Sequence, residues 1–371
     1  MTDDNIMYVT RPYLPPLEEL MPSLERIWRT RDLTNGAAFH REFETALAAY
    51  LGVPFVSLFA NATIALVTAL QCLRITGEVI TTPYSFVATA HSLLWNGVEP
   101  VFVDIDPTTL ALDPSRVEAA ITPRTTAIMP VHVYGRPADV SGIQRIADTY
   151  GLRIVYDAAH GFGARFRGRA IADYGDLSVL SFHATKVFNT FEGGAIVCRD
   201  AQTKQRIDYL KNFGFADEVT VVAAGINGKM NEFQAAVGLL QLQHVDACIR
   251  ARGEVAARYD AAFAGMPGID VLPPLPDYTP NFSYYPIFVR PGFAISRDAL
   301  YARLKDAGIH GRRYFYPLIS EFPMYRGRPS AAKAGLPVAH SFADAVICLP
   351  IYPELPEDQQ QRVIDVVRAA A

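Results

Sequence analysis

From residue 50 to about 200 the chain repeats one pattern: a short β-branched apolar run, a turn, then a stretch whose apolar side chains recur at helical spacing. Strands alternating with helices in this way specify a mainly parallel sheet covered by helices, and leave few other architectures open. The runs are Phe55 to Leu58, Glu78 to Thr81, Pro100 to Asp104, Thr126 to Val131, Arg153 to Tyr156, Leu177 to Ser181 and Gly194 to Cys198. A seven-stranded sheet is therefore expected.

Between these runs, Ile64, Leu66, Val67, Leu70 and Leu73 fit a helix largely covered by protein, and 114–120 and 140–150 read as shorter helices. Residues 230–264 form a long helical stretch, after which the turn-rich segment 265–280 breaks the pattern. The expected division is a large domain over 1–245 and a small α+β domain over 246–371. In the latter, Tyr284 to Val289 reads as a strand, with helices at Ser296 to Ala307 and Gln359 to Ala370. At 371 residues and 50% hydrophobic, the chain has apolar content for both.

Charge and cysteine pattern exclude several classes. The 38 acidic and 34 Lys plus Arg residues leave a net charge of -4 with no block of either sign, so nucleic acid is not an expected partner and a small molecule is. Cys72, Cys198, Cys248 and Cys348 stand singly, without the spacing of a zinc site or a redox pair, so no metal is expected and the thiols read as reduced core residues. The acidic opening MTDDN, with no basic-then-apolar leader after it and no apolar run of membrane-spanning length in the chain, leads us to expect a cytoplasmic protein without membrane contact.

The segment SFHATKVFNTFEGGAIV, Ser181 to Val197, sets Lys186 just past a strand. In open α/β sheets ligands bind beyond the carboxyl ends of strands, so this lysine stands either at a binding site or as a surface charge. Asp157, in RIVYDAAH, follows another strand at the same edge; a buried acid there needs a cationic or hydrogen-bonding partner, unless it only caps the next helix. In FANATIAL, Asn61 can cap a helix whose first N–H groups would face an anion, although an ordinary N-cap has the same signature. TTPYSFVATAHS offers Tyr84 and Phe86 as stacking surfaces or as core.

Taken together, NAT (61–63), PYSFVAT (83–89), DAAH (157–160), SFHATK (181–186), EGGAIV (192–197) and GINGKMNEFQAA (225–236) resemble the DegT/DnrJ/EryC1/StrS family of nucleotide-sugar aminotransferases, over nearly the whole chain. The resemblance implies the aspartate-aminotransferase fold, fold type I, and pyridoxal 5'-phosphate as cofactor, alternating with pyridoxamine phosphate. It implies that Lys186 forms the Schiff base, Asp157 pairs with the pyridine nitrogen, Phe86 stacks on the ring and His160 lies near the ring hydroxyl. Ala62, Thr63 and Ser181 would hold the phosphate, with Asn227 reaching it from the neighbouring subunit of a homodimer. His183, Glu192 and Asn231 carry either site roles or structural ones. The segment LTNGAAFHREFE, 33–44, departs from the Asn-Gly-Pro order of similar sequences.

By the same resemblance, L-glutamate donates the amine and a nucleotide-linked keto sugar receives it. The form FHATKVFNTFEGG is similar to that of enzymes that aminate C4 of dTDP-4-keto-6-deoxyglucose, a step that would serve lipopolysaccharide O-antigen or another surface glycan. HGRRYFYPL, 310–318, could wall the sugar pocket, with Tyr316 on the sugar and Arg313 or Arg312 on the diphosphate, or could be a solvated basic loop. The alternatives are a C3 aminotransferase, a sugar dehydratase of the kind that has histidine in place of the lysine, and a cofactor-binding regulatory protein without turnover.

Overall fold

The computed structural model describes residues 6–371; the acidic opening of the chain, residues 1–5, lies outside them. All seven apolar runs become strands of one sheet: Phe55–Phe59, Glu78–Thr81, Glu99–Phe102, Thr125–Met129, Arg153–Asp157, Leu177–Ser181 and Gly194–Cys198. In space they follow the order 55–59, 194–198, 177–181, 153–157, 125–129, 78–81, 99–102. Every pairing is parallel except those of 194–198, which is antiparallel to both neighbours. It is joined to 177–181 by a loop with no intervening strand or helix, so the chain doubles back instead of crossing over.

Helices cover both faces. Ala62–Cys72 buries Ala65, Leu66, Thr68, Ala69, Leu70 and Cys72, and Asn61 caps its start by accepting from Ile64 N at 3.0 Å. The alternation of runs does not foretell the helices Leu17–Thr30 and Ala38–Leu51. The second of these has no cap in its own sequence. The carboxylate of Glu232, 1% exposed, accepts from Phe39 N at 2.7 Å and His40 N at 3.1 Å and supplies the cap from across the fold. The divergent 33–36 segment upstream is a turn in which Asn35 and Gly36 both have positive φ.

Helix Glu232–Phe263 is continuous over 32 residues and opens with a capping box between Asn231 and Gln234, so Asn231 is a cap. Its first half packs Ala235, Ala236 and Val245 into the core under the large sheet. Its second half packs Val255, Ala256, Tyr259 and Phe263 against a separate core formed with Ile287, Leu300, Ile347 and Val363. We propose that these two cores mark two domains divided near residue 245, inside the helix. The second core carries a three-stranded antiparallel sheet, Ile269–Val271, Tyr285–Val289 and Val346–Leu349. Thus the segment 265–280 is not all turn: its first apolar residues pair with the strand that follows. All four cysteines are buried and free, and among the described residues no helix is long and apolar enough to cross a membrane.

Gly238 lets the long helix approach helix 38–51 closely. A Cβ there would meet the Phe43 ring at 2.5 Å, and that ring is fully buried against Phe182 and Phe188. Removing a helical glycine gains about 1 kcal/mol of propensity. Overpacking a locked core costs about 1–3 kcal/mol, and a β-branched residue adds its own χ1 restriction. Gly238→Val should therefore lower the urea midpoint, by an amount equivalent to roughly 2 kcal/mol; an unchanged midpoint would show that Phe43 can move.

Candidate active site

The parallel register sets strand ends side by side at one edge of the sheet. Asp157 ends strand 153–157, Ser181 ends its neighbour, and Gly194 pairs with both Ser181 and Phe59. Lys186 follows five residues after Ser181, in a loop turned by Lys186 N donating to the His183 carbonyl at 2.9 Å. A cavity of about 720 Å³ opens at this edge, and Ala62, Thr63, Phe86, Asp157, His160, Ser181, His183 and Lys186 all line it.

Asp157 is 5% exposed. Burial pushes its carboxyl above the usual range, while hydrogen bonds from Thr89 and Ala159 N, and the nearby Lys186, pull it back. Thr89 donates to Oδ2 at 2.7 Å and Ala159 N to Oδ1 at 3.1 Å. Because the Thr89 hydroxyl spends its proton on Asp157, the Ser85 hydroxyl 2.7 Å away must donate to Thr89. Burial lowers Lys186 to about 8, against the opposing pull of Asp157. Its Nζ stands 5.9 Å from the centre of the Tyr284 ring.

His160 is held neutral by burial and by the nearby Lys186. Its Nδ1 accepts from Tyr134 N at 3.1 Å, so the ring proton sits on Nε2. The opposite end of the cavity is the start of helix 62–72. Asn61 occupies Ile64 N, which leaves the first N–H groups, at Ala62 and Thr63, to meet an anion. Gly194 makes room there: a Cβ would fall 2.7 Å from Ala62 N and 2.9 Å from its Cα. Phe86 is 58% exposed at the cavity although it is a large apolar ring.

These features fit pyridoxal phosphate. A buried carboxylate suits its ring nitrogen, a half-buried amine its aldehyde, an exposed aromatic face its ring, and a glycine-backed helix start its phosphate.

Two expected residues, Arg313 and Tyr316, do not line the cavity. Arg313 pairs with Asp298 at 2.8 Å and stacks on Tyr301 and Tyr316, and Tyr316 is sandwiched by Arg297 and Arg313 outside it. In their stead, Arg312, Tyr314, Phe315 and Tyr284 form the wall. Asn227, whose expected place is the phosphate of the neighbouring subunit, is exposed in this chain. Arg312 bonds through its backbone to Cys348 in both directions, and the chain turns directly afterwards, with Tyr316 N donating to the Arg313 carbonyl at 2.6 Å; Arg312, Tyr314 and Phe315 reach the cavity, whereas Arg313 and Tyr316 do not. His183 Nδ1 bonds the Thr185 hydroxyl at 2.8 Å, and its Nε2 lies 3.6 Å from Glu192.

The fold and cavity are those of a fold type I pyridoxal-phosphate aminotransferase. The chain belongs to the DegT/DnrJ/EryC1/StrS aminotransferase family, whose sequence profile matches residues 17–368. It is 53% identical over 359 residues, 96% of each chain, to a dTDP-4-amino-4,6-dideoxy-D-glucose transaminase of Escherichia coli. Among solved structures it resembles DesI in the presence of its TDP-sugar product, with a TM-score of 0.94 and 39% identity over 99% of this chain and 93% of that one. It also resembles NtdA of Bacillus subtilis with bound PMP, with a TM-score of 0.87 and 28% identity over 95% of this chain and 81% of that one.

Two outcomes follow from the geometry. Between pH 8 and the ordinary lysine value of 10.5, the folded apo-protein holds fewer protons at Lys186 than the unfolded chain does. The contribution of Lys186 to stability must therefore rise with pH across that window. Lys186→Met lacks this term, so its lead in urea midpoint over the wild type should shrink from pH 8 to 10.5; a constant lead would contradict the lowered value. Gly194→Ala should weaken pyridoxal phosphate binding by about tenfold or more, the equivalent of one charge-assisted hydrogen bond, as read by absorbance titration of the apo-protein. Wild-type affinity would mean that the helix start is not the phosphate site.

Proposed function

We propose that this protein transfers an amino group from L-glutamate to C4 of a dTDP-linked 4-keto-6-deoxy sugar, in two half-reactions at one cavity. The observation that carries this reading is that Lys186 and Asp157 line the same enclosure; the C4 position and the dTDP group rest on the 53% identical relative. When bound, pyridoxal phosphate supplies an aldehyde that accepts an amine and a ring that withdraws electrons from the carbon losing its proton.

The chain's own residues do the rest. Lys186 Nζ tethers the cofactor and, with its pKa lowered to about 8, takes and returns the proton at the carbon bearing the transferred amine. Asp157, held by Thr89 and Ala159 N, keeps a negative charge opposite the ring nitrogen. His160 offers an Nε2 proton to the ring hydroxyl, and Phe86 covers the ring face. Ala62, Thr63 and Ser181 hold the phosphate.

Arg312 takes the diphosphate role in place of Arg313, since it is exposed at the cavity and has no ion pair among the described residues, whereas Arg313 is engaged with Asp298. The enzyme acts as a cytoplasmic homodimer. Phe213, Phe215, Val219, Val221, Val222 and Ile226 are exposed beside Asn227, an apolar surface that a second copy would cover while bringing Asn227 to its cofactor phosphate.

Incubation with dTDP-4-keto-6-deoxyglucose and glutamate should yield a product whose new amine is found at C4 by NMR, with one 2-oxoglutarate released per amine formed. Amination at C3, loss of water from the sugar, or no turnover would each replace this reading with one of its alternatives.

A further inference from the structure

The turn-rich segment 265–280 has no part in the reaction, yet it builds a second cavity of about 470 Å³ behind the catalytic one. Its walls are Val271, Leu272, Pro273, Pro274, Leu275 and Pro280, together with Phe282 and the rings of Tyr134, Tyr278, Tyr284 and Tyr285. Pro273 and Pro274 are exposed, so the cavity opens to solvent along that rim. Tyr278 is fixed by its hydroxyl donating to the Gly135 carbonyl at 2.9 Å.

One cation sits in this apolar wall. Arg136 is 7% exposed, and among the described residues its side chain makes one hydrogen bond, from Nη2 to the Thr108 carbonyl at 3.2 Å. Its Nε is buried without any partner, and among the described residues no carboxylate pairs with it. A guanidinium out of water without an acid is unfavourable, and burial accordingly lowers its proton affinity. The one acid on the lining, Asp260, already accepts from the Tyr285 hydroxyl at 2.6 Å. A carboxylate arriving from solvent would satisfy Arg136, and tyrosine and proline faces suit a flat apolar body behind that carboxylate.

We propose that this cavity is a binding site for a small aromatic carboxylate, distinct from the amine-transfer site and sharing a wall with it. Tyr284 lines both cavities, and Tyr134, on the wall of the second, donates the backbone bond that fixes the His160 tautomer. An occupant therefore touches the two residues that frame Lys186 and His160.

Calorimetric titration of the cofactor-loaded protein tests the site with phenylacetate and its neutral isostere phenylacetamide. Phenylacetate should bind at least tenfold more tightly than the amide. Arg136→Met, which keeps an unbranched apolar stem and removes the guanidinium, should bring phenylacetate down to the affinity of the amide. Arg312→Ala, which removes the unpaired cation of the catalytic cavity, should leave phenylacetate binding unchanged. Equal affinity of acid and amide for the wild type overturns the proposal whether or not Arg136→Met folds. So does phenylacetate binding that survives in Arg136→Met or is lost in Arg312→Ala.

Discussion

An amine and a carboxylate line one cavity that shields both from solvent, and the surrounding structure is arranged around the conflict this creates. Burial disfavours the charged form of each, raising Asp157 and lowering Lys186, while their mutual attraction opposes both shifts. Asp157 is further supported by a hydroxyl chain from Ser85 through Thr89 and by the N–H of Ala159. Lys186 faces a tyrosine ring and, among the described residues, no fixed acceptor. The carboxylate is thus held rigidly and the amine is left free to change partners, which is the asymmetry a tethering and proton-moving lysine requires.

The sheet resolves how groups distant in sequence meet. Adjacent parallel strands 153–157 and 177–181 deliver Asp157 and Ser181 to one edge, and the antiparallel return of 194–198 brings Gly194 against both Ser181 and Phe59. Phe59 leads directly into the helix whose first N–H groups close the other end of the cavity. A single antiparallel strand in an otherwise parallel sheet therefore joins the anion end of the site to the lysine loop. Gly194 stands at the junction, where any side chain would strike the helix start.

Much of this was legible in the sequence, because the signals were local. Short apolar runs between turns marked all seven strands, three of them, Glu78–Thr81, Leu177–Ser181 and Gly194–Cys198, to the residue. Strand-end position made Asp157 and Lys186 candidates, and the family resemblance gave them their roles. What escaped depends on contacts between distant segments. Glu232 caps a helix nearly two hundred residues earlier, and Tyr284 reaches the cavity from beyond the long helix. The choice among Arg312, Arg313, Tyr314 and Tyr316 depended on the pairing of Arg312 with Cys348 and the tight turn that follows it, not on any property of HGRRYFYPL itself. Thr89 lay inside a recognised motif, yet its bond to Asp157 spans 68 residues.

Reductive trapping tests the central claim, that Lys186 is the amine facing the cofactor across from Asp157, most directly. Treating the cofactor-loaded protein with borohydride, digesting it and sequencing the labelled peptide by mass spectrometry should locate one phosphopyridoxyl group, on Lys186 within SFHATK. A label on another lysine, such as Lys211 or Lys229, or no covalent label at all, would contradict the account.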